Sequence, residues 1–427
     1  FKMRADLCTV EGTAIDANDV EMSFKRLFIL GGNTHGNLKE VVCPNAELRS
    51  LSDNCPGMQV RDGGKTFVFK LKEKKVFLFP MLASIDFAII PRDSIDKATL
   101  KIKDYKNTSG PYFVSKDSPI GGIELSANTR HFHYSKKMPQ GAVFVPSGKT
   151  NQLESIELFD KNKVDFVTTI DTIPPDVMIS YENKNKKSAE LHSTHALDTF
   201  LLIFTRKGRE RFGKEERRAL GVNFREMFLR TYLNKPGYEA AEQIFPAFSG
   251  GGLIDEQVLS LRSKTGLDRE PRGKQKKVKV WNINFTNNFE ATEAGYKELF
   301  PGIEFVKMRK IPGRVNYAAE KLAEPDIYLM RTDMGFQEDI NLLSYYLGID
   351  FFALPKGGAK QWLREYVSTM DKKKRLEMVR SLHFRTLDES VFVPLAKTPY
   401  TALVRKPWKF NMSKFHANDP VWRIFHN

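Results

Sequence analysis

Cysteine is scarce: the 427 residues contain three, Cys8, Cys43 and Cys55. So few cannot build a disulfide scaffold, and an odd number leaves at least one thiol unbonded. Cys43 and Cys55 flank a loop-like stretch, so a bond between them is open in an oxidising compartment, but the sequence fixes no connectivity. Long apolar runs are missing too. No stretch reaches the roughly 18 apolar residues that a helix needs to span a bilayer. The nearest, Val76–Ile90, is interrupted by Pro80, Ser84 and Asp86 and reads as buried core.

The common catalytic motifs are also absent. There is no Cys-x-x-Cys, His-Glu-x-x-His or Gly-x-Ser-x-Gly, and the Gly-rich stretch Ser249–Gly252 lacks the lysine of a phosphate-binding loop. This excludes the usual zinc-site, serine-hydrolase and P-loop signatures. Two histidine pairs remain, His131-x-His133 and His192-x-x-His195. On a strand His131 and His133 would share a face and could hold a metal. With no further ligand beside them they read as surface histidines, so no metal, no cofactor and no enzyme activity are expected.

What the chain has is length and positive charge. A chain of 427 residues is too long for one ordinary core and suggests two or three domains. Lys and Arg number 67 against 52 Asp and Glu, a formal charge of +15. Such a balance favours polyanions. The lysines, however, fall in short polar runs (Lys70–Lys75, Lys184–Lys187, Lys274–Lys277, Lys372–Lys374) without interleaved aromatics. They read as a solvated surface, and no nucleic-acid partner is expected.

Taken in order, the chain alternates helical and strand signals. Asp16 and Asp19 form a variant capping box ahead of Val20, Phe24, Leu27 and Phe28 on one helical face. Gly31–Gly57 reads as a loop, Lys65–Leu71 as a strand, and Phe77–Pro91 as a short helix followed by a strand at Phe87–Ile90. Asn107–Asn128 reads as a hairpin: the turn Gly110-Pro111, the apolar Tyr112-Phe113-Val114, a second turn at Ser118–Gly122, and Ile123-Glu124-Leu125. Ile156 and Leu158 alternate as a strand. Leu197–Thr205 is fully apolar, as in a sheet covered on both faces. Ala219, Leu220, Phe224, Met227 and Phe228 share a helical face. Pro246–Lys277 reads as a mobile loop. Lys279–Phe285, Ala291–Phe300 and Ile303–Met308 give strand, helix, strand, which implies a parallel pair with a right-handed crossover. Pro325–Met330 is a further strand. Gln361–Leu387 is helical with a break at Asp371, with Trp362, Tyr366, Met370, Leu376, Val379 and Phe384 predicted to face inward, and strands follow at Val391–Leu395 and Tyr400–Val404.

Several of these stretches together resemble the extracellular solute-binding proteins of the oligopeptide/dipeptide/nickel ABC-importer type. Arg4, Gly12, Ala17, Asp19, Val20, Ser23, Arg26 and Leu27 stand in register with one motif of that family. Gly110-Pro111-Tyr112 with Asn128 matches a second, and Phe212, Arg217, Arg218, Ala219 and Leu220 a third. The resemblance runs from Phe1 to about Trp408 and implies an α/β, two-lobed periplasmic-binding-protein fold (type II, cluster C-like), with mixed sheets, a hinge and an interlobe cleft. The N-terminal lobe would take residues 1–197 with 403–427 returning to it, and the C-terminal ligand-binding lobe 198–402. Crossings would fall near Thr194–Thr199 and Thr398–Leu403. The family's opening strands have no counterpart, which implies an incomplete N-terminal lobe. Phe1 follows either a removed signal peptide or further chain.

The same resemblance implies a periplasmic or lipid-anchored monomer that captures a peptide or other small solute for an ABC permease in the inner membrane. The ligand loop would follow the Ile327–Met330 strand, with Arg331, Thr332, Asp333 and Phe336 as contacts. Relatives hold a peptide's amino terminus with an aspartate; here Gly335 stands at that place, and Asp333, Glu338 or Asp339 would substitute. Two other readings use the same residues: a ligand sensor of this fold without transport, and a scaffold for a protein or polyanion.

Overall fold

Asp16 starts the first helix, α1 (Ala17–Leu30), as the sequence predicts. Its carboxylate accepts from the backbone N–H groups of Asn18 and Asp19, and the Asp19 carboxylate returns to the Asp16 N–H at 2.8 Å. The other oxygen of Asp19 accepts the Arg92 N–H at 2.8 Å, so the cap also fastens a distant segment. The structure is a computed structural model and describes residues 1–31, 33–76, 78–83, 85–117, 122–145, 154–168, 175–193, 198–232, 237–245, 249–265, 277–282, 294, 297–298, 302–307, 323–332, 347, 354–355, 357–412 and 421–426.

Two compact units account for the chain: Phe1–Lys149 with Pro407–Asn411 and Pro420–Asn427, and Thr150–Lys406 with Met412–Asp419. In the first, Val20, Phe24 and Phe28 of α1 pack on the antiparallel hairpin β1 (Met58–Arg61) and β2 (Thr66–Phe69). The Phe24 ring meets Phe69 edge-on at 4.9 Å. Gly31–Gly57 is not a plain loop, because α2 (Asn33–Val42) forms within it and buries Leu38, Val41 and Val42. That i, i+3, i+4 spacing is helical, but one turn of it among Gly and Asn is a weak signal. Cys43 and Cys55, both buried, are disulfide-bonded, and Cys8 is free.

After α3 (Leu78–Leu82) the strand predicted at Phe87–Ile90 does not form. Instead the Ser23 hydroxyl accepts the Ile90 N–H at 2.9 Å and shares its one hydrogen between the Asp19 carbonyl at 2.7 Å and the Ile90 carbonyl at 3.2 Å, in place of a neighbouring strand. The hairpin prediction holds as β3 (Tyr112–Asp117) and β4 (Ile123–Ala127), and β5 (Gly141–Phe144) adds a third antiparallel strand. Buried Asn128 closes the Gly110-Pro111 turn: its Nδ2 donates to the Gly110 carbonyl at 3.0 Å and its N–H to Pro111 at 2.8 Å.

The second unit opens with α4 (Glu154–Asp160), where the alternation of Ile156 and Leu158 predicts a strand. A helix wins because Phe159 is the fully buried residue, Ile156 lies one turn before it, and Glu154 and Glu157 occupy the first turn, where carboxylates suit the helix dipole. Next come β6 (Phe166–Thr168), α5 (Pro175–Asn185), β7 (Ala189–Ser193), β8 (Asp198–Phe204), α6 (Arg206–Arg211), α7 (Lys214–Tyr232), β9 (Glu239–Ala240) and α8 (Asp255–Thr265). Helix α8 lies inside the stretch predicted as a loop and buries Leu261. The remaining elements are β10 (Val278–Asn282), β11 (Ile303–Lys307), β12 (Ile327–Thr332), α9 (Gly358–Ser368), α10 (Lys372–Asp388), β13 (Phe392–Thr398) and β14 (Thr401–Arg405); β15 (Lys409–Phe410) and β16 (Ile424–Phe425) pair in the first unit.

A six-stranded mixed sheet, ordered β11-β10-β12-β8-β13-β9, is the body of this unit. β10 pairs in parallel with β11 and β12, as the strand–helix–strand pattern predicts; the helix expected between β10 and β11 lies mostly outside the described residues. Strand β8 is apolar on both faces. Phe200, Leu202 and Phe204 join the core that holds Leu220, Phe224 and Phe228 of α7, and Leu201 and Ile203 are fully buried on the other face. Each such side chain contributes about 1.5–3 kcal/mol through burial. Asp371 breaks the long helix by capping α10, its carboxylate accepting from Lys373 and Lys374 N–H. Met370, predicted to face inward, is exposed, because it lies in the break itself. β14 sits between β6 and β7 in a separate three-stranded sheet.

Candidate functional site

The two ends of β12 are built differently. At its start most polar groups are taken up by structure, with Asp326 Oδ1 buried and without a hydrogen bond among the described residues. The buried Asp326 carboxylate accepts from the Arg211 guanidinium and from the Lys279 N–H. The Thr205 hydroxyl donates to Pro325 at 2.7 Å, and Lys207 Nζ donates to the Glu324 carbonyl at 2.9 Å. Burial pushes the Glu324 carboxyl above its ordinary range. Helix α6 comes so close that a Cβ on Gly208 would run into the Asp326 carbonyl. This end locks α6 to the sheet and leaves little for a ligand.

At the other end the described pairing of β12 with β10 runs to Leu329, and its pairing with β8 runs on to Thr332. Thr332 stands opposite Thr199, Thr199 opposite Lys397, and Lys397 opposite Glu239, giving one row across β12, β8, β13 and β9. The backbones of Arg331 and Thr332 therefore lie at the C-terminal edge, where open α/β sheets take ligands. Asp333 and Phe336, with Gly335, Glu338 and Asp339, lie outside the described residues.

Behind that row a buried polar cluster holds the chain that leaves β9. The Thr199 hydroxyl donates to the Ile244 carbonyl at 3.2 Å. His383 Nε2, from α10, accepts the Ile244 N–H at 3.1 Å, which leaves Nδ1 to donate to the Gly251 carbonyl at 3.2 Å. Arg380 adds bonds to the carbonyls of Gly250 and Gly252. Burial drives the His383 pKa down to about 3, with Lys397 pushing the same way against the bond to Gly251, so the ring is neutral. Burial also lowers the pKa of half-buried Lys397, while Glu239 across the strand pulls it up. The sequence reading missed both residues. Their only signal is a lone Lys ending an apolar strand and a lone His on the inner face of a helix.

Thr398 pairs with Asp198 at the end of the six-stranded sheet, and Thr401 pairs with Ser193 at the start of the three-stranded one. The crossing expected near Thr194–Thr199 lies mostly outside the described residues, whereas Pro399 and Tyr400 join β13 to β14.

Among the described residues the histidine pairs gather no further metal ligands. His131 and His133 lie in a turn rather than on a strand, and His131 Nδ1 accepts the His133 N–H at 3.1 Å. Burial, with His133 and Arg4, lowers the His131 pKa. His192 faces Glu190 at 3.6 Å on β7, and His195 lies outside the described residues. Among the described residues no group of three His, Cys, Asp or Glu could hold a metal, and no helix is long and apolar enough to cross a membrane.

No family model and no curated protein matches the chain. Solved structures do. The periplasmic oligopeptide-binding protein OppAIV of Borrelia burgdorferi matches with a TM-score of 0.72 at 17% identity, over 100% of this chain and 87% of its own. The murein tripeptide binding protein MppA of Escherichia coli matches with 0.68 at 15%, over 100% and 86%. NikA of Staphylococcus aureus, solved in complex with Ni(L-His)2, matches with 0.69 at 14%, over 100% and 87%. At these identities the likeness is one of architecture: the chain has the mixed α/β fold of these two-lobed periplasmic binding proteins.

Proposed function

We propose that this chain is a solute-binding protein that captures a peptide or other small solute and delivers it to an ABC permease in the inner membrane. One observation carries the reading: the whole chain follows the fold of periplasmic binding proteins for oligopeptides and a murein tripeptide. The pairings Asp198–Thr398 and Ser193–Thr401, one at the end of each sheet, support a hinge, since a few residues between two sheets can absorb a swing of one on the other. On this reading the lobes divide there, residues 1–197 with 403–427 against 198–402. The solute meets the C-terminal edge of the large sheet through Arg331, Thr332, Asp333 and Phe336. Binding rather than catalysis is the role, and the working form is a monomer.

The buried Cys43–Cys55 disulfide supports an oxidising compartment, in keeping with a protein of the periplasm or of the outer face of a membrane. The test is a thermal-shift screen of the purified chain against peptides and small solutes. Binding to the native state alone raises the midpoint, so an unmoved midpoint across the whole screen ends the reading.

A further inference from the structure

Lys397 is a cation in an unusual place. It lies on β13, directly opposite Thr199 on one side and Glu239 on the other, in the row that ends at Thr332. Two strand spacings separate it from Thr332, about 10 Å. Its neighbours offer it no strong counter-charge. The Thr199 hydroxyl is committed to the Ile244 carbonyl, and His383 is neutral, held between Ile244 and Gly251. Glu239 is solvent-exposed and attracts Lys397 only through space; among the described residues the Lys397 ammonium has no hydrogen bond and no ion pair.

Drawing an ammonium partly out of water without a partner costs stability, and a cost of that kind at a ligand edge signals a partner that arrives later. We propose that Lys397 is a specificity-determining residue of the solute site, the counter-charge for a carboxylate on the bound solute. This rests on the solute-binding reading above and deepens it: the preferred solutes are carboxylic acids, whether free peptides or small organic acids. A carboxylate beside Lys397 gains a charge-assisted bond in a partly desolvated setting, where such bonds are strongest. An amide or ester of the same shape gains none.

The experiment compares the full chain with Lys397→Met and Lys397→Arg, each stripped of co-purified solute by unfolding and refolding. Three paired probe sets are used: randomised tripeptides as free acids and as C-terminal amides, the same libraries without Asp and Glu, and small carboxylic acids with their methyl esters. Binding is read by equilibrium dialysis and midpoint shift. Wild type should prefer acids at least about tenfold, Lys397→Met should lose that preference, and Lys397→Arg should keep most of it. The library without Asp and Glu separates a terminal carboxylate from a side-chain one.

The ligand-free midpoint gives an independent arm. Lys397→Met should raise it by about 2–4 °C, because an unpaired, half-buried charge is removed. A lowered midpoint would mean that Lys397 is structural and would overturn the inference. Binding that ignores both the carboxylate and Lys397 overturns it too, yet leaves solute capture standing. A midpoint that no probe moves removes both.

Discussion

His383 on α10 accepts the amide hydrogen of Ile244 at 3.1 Å, across 139 residues of sequence. The bond requires an unprotonated Nε2, so the fold selects one tautomer of a neutral ring. The loop that follows β9 is thereby tied to a helix by a group whose charge state changes its bonding.

That tie sets a pH dependence. His383 has a folded pKa of about 3 against an unfolded value near 6.5. Its contribution is therefore complete above pH 6.5 and is lost as the pH falls toward 3. Each unit in that window costs up to about 1.4 kcal/mol. Urea denaturation from pH 7 to 4.5 should show this slope in wild type and a flatter one in His383→Gln, which should also be less stable at pH 7 through its lost bonds. Equal slopes would mean that the ring is already charged or exposed.

The Cys43–Cys55 bond closes a loop over a sequence separation of 12 inside a buried cluster. Replacing both residues by Ala should lower the stability of the first unit by about 3 kcal/mol on the chain-entropy model. Denaturation followed by the exchange of amides in α1, β1 and β2 would report it. An unchanged midpoint would show that the unfolded chain is already compact there.

Asn128 is nearly fully buried, and its side chain both donates to Gly110 and accepts from Arg130 N–H at 3.0 Å. Asn128→Ala leaves the Gly110 carbonyl and the Arg130 N–H without these partners and should cost about 2–3 kcal/mol. Hydrogen exchange should quicken from Gly110 through β3 and remain unchanged in the six-stranded sheet.

Gly208 has no room for a methyl group against the backbone of Asp326, which cannot swing aside as a side chain would. Gly208→Ala should destabilise the second unit by about 2 kcal/mol or more, although Ala is the better helix former. A neutral result would show that α6 can slide on the sheet.

Asp333→Ala tests the proposed ligand loop. It should weaken binding of a solute with a free amino group more than binding of its acetylated form, by about tenfold if the carboxylate pairs with the amine. Equal losses in calorimetry would remove Asp333 from that role.

What the sequence determined alone was whatever a short window of side chains controls. The capping box at Asp16, the apolar β8, the hairpin after Gly110 and the break at Asp371 are all local in cause, and each was legible. Tertiary structure decided the rest, because periodicity tells which face is buried and not against what. Ile156 and Leu158 alternate like a strand, yet the pocket for Phe159 makes that stretch helical. Ile90 meets the Ser23 hydroxyl where a strand would have met another strand. Residues Thr332, Thr199, Lys397 and Glu239 lie far apart in the chain and become neighbours only when β8 is laid between β12 and β13, a strand order no local preference encodes. That Lys397 has no hydrogen bond or ion pair among the described residues became visible only then, since a lysine lacks a partner only relative to the groups folded around it.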